Sequence, residues 1–157
     1  MNSTTDIRDR DLDRMLLHRP DETIHAGVDR VELEEFGRIL ALGGDEFLAS
    51  VYTCEERAYC GGRLEKLATR FAAKEAASKA LGTGIRAIGL GEVEVLTAAN
   101  GQPRLQLRGR ARDRAAVLGI TSISVSLTHT SVMAEAFVVA IAVDATTTDS
   151  LRKESTL

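Results

Sequence analysis

Tryptophan is absent, and aromatic residues of any kind make up only 4% of the 157-residue chain. That scarcity excludes the stacking platforms on which single-stranded nucleic acids are held. An excess of positive charge is missing as well: 20 Lys and Arg stand against 23 Asp and Glu, a formal charge of -3. Binding that depends on broad phosphate neutralisation is therefore excluded too. Cysteine occurs only at Cys54 and Cys60, with neither the paired spacing of a zinc site nor the density of a secreted disulfide framework. Both are expected as free thiols in a reducing compartment. No apolar run reaches bilayer-spanning length, and Met1 to Arg14 alternate charges where a secretory leader needs an apolar core. The expectation is a soluble, cytoplasmic protein that binds neither nucleic acid nor membrane.

What is present suffices for one core, since 44% of the residues are hydrophobic and a chain of this length supports a single domain. Residues 1–22 are polar, dense in Asp and Arg, and read as a mobile extension or a frayed helix. Residues 23–144 hold the periodic segments, and residues 145–157 form a polar tail expected to be disordered. Within the domain, Ile24 to Val28 reads as a short strand leading into Asp29. From Arg30, the residues Val31, Phe36, Ile39 and Leu40 have helical spacing, closed by Gly43 and Gly44. Thr53 and Glu56 have the form of a capping box opening a second helix that stops at Gly61 and Gly62.

Beyond the next helix, Val93 and Val95 alternate with Glu92 and Glu94, and Leu105 and Leu107 alternate with polar partners across Asn100-Gly101. That is a hairpin, with Pro103 just past the turn. Arg110 to Leu118 is a short helix ended by Gly119. Ile123, Val125 and Leu127 alternate with Ser124, Ser126 and Thr128, and the apolar run Ala134 to Val143 pairs with them as a strand buried on both faces or nearly so. The fold class is α+β, a mainly antiparallel sheet with one dominant helix.

That helix runs from Leu64 to Leu81, rich in Ala, Leu, Lys and Glu, without Pro or Gly until Gly82. At about 100° per residue, Leu64, Leu67, Phe71 and Ser78 share one stripe, and Glu75 lies on it. A carboxylate therefore interrupts the apolar face, with Lys79 one turn on and Arg70 and Lys74 flanking. The plainer reading is a solvated Glu75–Lys79 pair. Asp29, at the end of a strand, reads on its own more readily as a helix cap. Taken with Glu75, it makes two carboxylates from separate elements, followed by the Gly82-Thr83-Gly84 turn. Such a set suits a magnesium ion that also holds a phosphate, with lysines neutralising the remaining charge. Hydroxyls and the imidazole of His129 from Ser124 to Thr130 stand at one end of the last strand pair, where His129 alone has a purely structural reading.

Five stretches also carry a family likeness: Gly27-Val-Asp-Arg-Val-Glu32, Thr53-Cys-Glu-Glu56, Arg70 through Gly84, Asn100-Gly-Gln-Pro103 and Val125-Ser-Leu-Thr-His-Thr130. In this order and at these intervals the chain, from about residue 24 to 143, resembles the holo-acyl-carrier-protein synthase family, the small single-domain 4′-phosphopantetheinyl transferases. Phe71 to Ala80 is the specific part. The resemblance implies magnesium-dependent transfer of the phosphopantetheine arm from coenzyme A to a serine of an acyl carrier protein, releasing adenosine 3′,5′-bisphosphate. By that likeness Asp29 and Glu75 would bind the metal. Glu75, directly or through water on the metal, would assist deprotonation of the serine, and Lys79 would stabilise or protonate the leaving phosphate. Arg70, Lys74, Ser78, Gly82, Pro103, His129 and Thr130 match positions around coenzyme A, and a homotrimer with sites between subunits is implied.

The chain departs from the family pattern on its first helix. Glu35 stands where the family commonly has Arg, Glu46 precedes Phe47 at another arginine position, and Ser50 replaces a third basic residue. One reading is an enzyme for an unusual carrier domain, less acidic at its recognition helix or presented by a larger synthase, with Arg30, Arg38 and Arg57 supplying the remaining positive charge. The alternatives are a coenzyme A-binding module with little transfer activity, and a structural protein whose helix charges only solvate a surface.

Overall fold

The computed structural model describes residues 22–84 and 86–143. The extension expected over 1–22 lies outside them except for Glu22, and so does the tail expected over 145–157. Strand β1 spans Glu22–Glu32, longer than the strand expected over Ile24 to Val28. His25, Gly27, Asp29 and Val31 form its more enclosed side, while Ile24, Ala26, Val28 and Arg30 are exposed. This is a two-residue alternation, but the inward set holds His, Gly and Asp, so hydropathy alone does not reveal it. Arg30 and Val31 consequently belong to β1, not to the helix.

Helix α1 covers Leu33–Val51 and does not stop at the glycine pair. It kinks at Gly44, whose φ of 53° and ψ of -146° lie outside helical space and favour glycine. Phe36 before the kink and Phe47 after it both pack on Phe71, with ring centroids 5.2 and 6.2 Å away. Helix α2, Cys54–Cys60, has the expected capping box and ends at Gly61 in the left-handed region. Helix α3, Leu64–Ala80, follows. Strands β2, Val93–Thr97, and β3, Pro103–Leu107, form the expected hairpin as a separate two-stranded sheet. Helix α4, Gly109–Val117, lies within a residue of its expected span. Strands β4, Ile120–His129, and β5, Met133–Val143, complete a three-stranded antiparallel sheet of order β1-β5-β4.

One face of β5, carrying Ala134, Ala136, Val138, Ala140 and Ala142, is buried. The expectation of burial on both faces is not met, because Phe137 is 49% exposed. Helix α3 lies across the inner face, and alanine lets it come close: Ala72, Ala73, Ala76 and Ala77 are fully enclosed. Leu64, Phe71 and Glu75, from the stripe expected to face the core, are only half-buried. Opposite Ala76, β1 carries Gly27. A Cβ there would stand 1.9 Å from the Ala76 carbonyl oxygen and 2.8 Å from the Ala80 nitrogen.

A buried polar network ties α2, α3 and the hairpin together. The Glu56 carboxylate caps α2 by accepting from Thr53 N, then takes Lys74 Nζ at 2.8 Å and Val95 N at 2.9 Å. Lys74 has no exposed side-chain surface and also donates to the carbonyls of Leu90 and Val93. Burial pushes its pKa down, opposed by Glu56. Glu94 accepts from Thr53 Oγ1 and from Arg108. A charge pair this enclosed holds only when its remaining donors and acceptors are satisfied, as they are here.

Gly27→Ala tests the approach of β1 to α3. Because backbone atoms and not a flexible side chain block the new methyl, β1 must move away from α3, and urea unfolding should show a loss of about 1–3 kcal/mol.

Candidate active site

Asp29 lies inside β1 opposite Ala136 of β5. It is not a helix cap, since Glu32 occupies the N-cap of α1. The enclosed side of β1 turns Asp29 toward α3, where Lys79 Nζ donates to Asp29 Oδ1 at 2.8 Å and to the Val28 carbonyl at 2.8 Å. Asp29 is 17% exposed and Lys79 52% exposed in their side chains. Glu75, one turn before Lys79, faces the same place. Burial raises its pKa, the Asp29 carboxylate raises it further, and Lys79 offsets part of the effect. The three groups chosen from the sequence are therefore brought together from residues some fifty positions apart, with Lys79 on Asp29.

Asp29 and Glu75 open into a cleft of about 500 Å³ between β1, α1 and α3, lined also by Glu32, Glu35, Phe36, Ile39, Phe71 and Met133. Two carboxylates, one with a raised pKa, can share a proton or a hard cation. Among the described residues no group of three or more His, Cys, Asp or Glu forms a metal cage.

Four other sequence-chosen residues lie apart from this cleft. Arg70, 4% exposed, donates to Thr97 Oγ1 at 2.9 Å and lies 4.3 Å from the Tyr59 ring centroid. Its Nε is buried without a hydrogen-bond partner. With Pro103, Tyr59, Thr97 and Gly101 it lines a recess of about 250 Å³. His129 and Thr130 line another recess, of about 750 Å³, with Leu33, Leu64 and Glu65. Thr130 Oγ1 also accepts from Met133 N at 3.1 Å, holding the β4–β5 turn.

The expectation that Lys74 flanks Glu75 as a free cation is corrected. Neighbours on a helix diverge by about 100°, and Lys74 points into the core. Ser78 is 1% exposed and donates to the Thr83 carbonyl at 2.8 Å, while Gly82 takes a φ of 64° in the same turn. Sequence reasoning did not single out Tyr59 or Thr97 beside Arg70, or Glu32 on the cleft. The sequence signal available was the rarity of tyrosine, which occurs only twice in the chain.

The proximity of the two carboxylates is measurable in metal-free protein. Asp29→Asn removes a like charge and releases Lys79, so carboxyl-carbon NMR should show the Glu75 pKa lowered; an unchanged value would contradict the arrangement.

The sequence and the fold both have counterparts among known proteins. The profile of the 4′-phosphopantetheinyl transferase superfamily matches residues 26–142. A holo-[acyl-carrier-protein] synthase of Chloroflexus aurantiacus is 41% identical over 133 residues, covering 74% of this chain and 97% of that protein. Among solved structures, the holo-[acyl-carrier-protein] synthase of Neisseria meningitidis aligns with a TM-score of 0.68 and 33% identity, covering 74% of this chain and 96% of that one. The Chronobacterium ammoniagenes ACPS-CoA complex aligns with a TM-score of 0.69 and 28% identity, covering 78% and 98%. On this sequence and fold, the chain belongs to the holo-[acyl-carrier-protein] synthase family of 4′-phosphopantetheinyl transferases.

Proposed function

We propose that the protein transfers 4′-phosphopantetheine from coenzyme A to a serine of an acyl carrier protein, with magnesium, releasing adenosine 3′,5′-bisphosphate. The observation that carries this reading is the meeting of Asp29 and Glu75 in one cleft, with Lys79 bonded to Asp29 beside it. In the transfer the serine oxygen forms a bond to the phosphorus that bears the pantetheine arm, and the bond from that phosphorus to the bisphosphate oxygen breaks. Glu75 takes the serine proton, directly or through a water. Lys79 presents an ammonium that can turn from Asp29 to the leaving phosphate and neutralise or protonate it.

The donor set fits magnesium. Asp29 and Glu75 offer two hard carboxylate oxygens and no competing thiolate or imidazole stands with them in the cleft, which suits an ion that keeps waters and takes phosphate oxygens. When bound there, the ion would polarise the pyrophosphate and offset its charge. Arg70, with its unpartnered Nε, is suited to an anionic group of coenzyme A, alongside Pro103. Gly82, His129 and Thr130 keep their proposed places around the donor. Lys74 and Ser78 act through the fold, one holding α3 to the hairpin and the other holding the Gly82 turn.

A homotrimer accounts for two further observations. The Asp29–Glu75 cleft and the recesses of Arg70 and His129 are separate on one chain, so a neighbouring copy can complete each site. The outer face of the three-stranded sheet, with Ile24 at 60%, Val28 at 56% and Phe137 at 49% exposure, supplies apolar surface for such contact. Val28 pairs with Phe137 across β1 and β5, which makes the patch continuous.

Incubating an apo carrier protein with coenzyme A, magnesium and the enzyme should add one phosphopantetheine mass to the carrier. Glu75→Gln should lower that rate by about 10²-fold or more with the fold intact. Coenzyme A binding without modification of any of several carriers would instead favour the binding-module reading. Phe137→Arg should convert the trimer to monomer in sedimentation velocity and abolish transfer, since each site would lose its second subunit.

A further inference from the structure

The two buried cations of α3 are satisfied to very different degrees. Lys74 braces the fold with its ammonium fully engaged, reaching Glu56 and the carbonyls of Leu90 and Val93. Arg70, one turn earlier, has five N–H donors. Nη2 reaches Thr97 Oγ1 at 2.9 Å, Nη1 reaches the Lys66 carbonyl at 3.4 Å, and Nε is buried with no partner. A buried donor left unmade weighs against the fold, so packing alone does not account for a guanidinium at this position. Arg70 instead lines the recess of about 250 Å³, and no carboxylate stands among the described residues around it.

Two hydrogen bonds, one of them long, leave the guanidinium free to pivot. Tyr59 removes that freedom. Its ring centroid lies 4.3 Å from Arg70 Cζ and 4.0 Å from Lys66 Nζ. Lys66 and Arg70 stand one turn apart on α3, a spacing at which like charges repel. The face of a phenol ring carries the negative side of its quadrupole and draws both cations to it. Lys66 Nζ also approaches the Tyr59 carbonyl oxygen, at 3.5 Å, which ties α2 to the same turn of α3. Tyr59 is itself 46% exposed, so core packing does not explain an aromatic there.

We propose that Tyr59 is a positioning residue for the donor: its ring fixes the Arg70 guanidinium, with Lys66 beside it, at the recess before coenzyme A arrives. The proposal rests on the part of the transferase reading that gives this recess to an anionic group of coenzyme A. A guanidinium already set in one plane loses less freedom when it takes an anion. Tyr59 is not among the residues of the Asp29–Glu75 cleft, so its contribution falls on donor affinity and not on the chemical step. The ring face does this, and the hydroxyl is dispensable.

Calorimetric titration with coenzyme A, paired with transfer kinetics on an apo carrier protein, tests the role. Tyr59→Leu should weaken coenzyme A binding by about fivefold or more and raise its KM to match, with kcat and the thermal midpoint little changed. Tyr59→Phe, which keeps the ring, should bind coenzyme A as the native protein does. In an Arg70→Met background, Tyr59→Leu should cost nothing further, because the group it positions is gone. Native affinity in Tyr59→Leu, a fall in kcat with KM unchanged, equal losses in the Phe and Leu variants, or the same loss with and without Arg70 would each overturn the proposal. If no carrier is modified, the transferase reading fails, while the calorimetric comparison still decides the role of Tyr59. Native protein that does not bind coenzyme A overturns both.

Discussion

Everything at the site depends on how closely β1 lies against α3. With only hydrogen on Gly27, the strand backbone settles onto the Ala76 turn of the helix, and two residues later Asp29 arrives beside Glu75 and Lys79. A side chain at position 27 would hold the strand off by roughly the diameter of a methyl group. Asp29 would then lose Lys79, and the two carboxylates would cease to share a cation. The alanines of α3 serve the same end from the other side: Ala73, Ala76, Ala77 and Ala80 keep the helix slim where β1 and β5 cross it. Shape here determines electrostatics.

A helix so enclosed must place its polar residues with care, and α3 does so by direction. Lys74 is sent inward to Glu56, where the pair fastens three elements, and Glu75 is turned toward the cleft. The two adjacent charges have opposite environments and separate tasks. Arg70 lies between those extremes, its guanidinium mostly enclosed, with Tyr59 and Thr97 satisfying part of it and Nε left over. The aromatic triad Phe36, Phe47 and Phe71 spans both sides of the Gly44 kink, so α1 bends around the cleft floor where a straight helix would leave it.

Much of this was legible in local pattern, and the rest was long-range. The Thr53–Glu56 box, the Asn100-Gly101 hairpin and the α3 span follow from short-range rules and stand where they were expected. β1 was read too short because its inward positions are His25, Gly27 and Asp29, a polar set dictated by the site and by close packing. The orientation of α3 was misjudged because alanine carries little hydrophobic signal, so the sequence stripe of Leu64, Phe71 and Glu75 marked a half-buried side. Glu56 looked like a capping residue and is one. That the same carboxylate also holds Lys74, eighteen positions away, has no local signature. Asp29, Glu75 and Lys79 were singled out from carboxylate pairing and family likeness, but their contact is a property of the folded chain.

The shortage of aromatic residues has a practical consequence. With no tryptophan in the sequence and only Tyr52 and Tyr59, ultraviolet emission from the protein comes from two phenols in unlike settings. Tyr52 is sealed in the core with its hydroxyl on the Leu67 carbonyl, while Tyr59 stands at the mouth of the Arg70 recess with Lys66 over its ring. Unfolding exposes the first phenol to water and changes the setting of the half-exposed second far less, so the emission of an unlabelled sample follows the opening of the core.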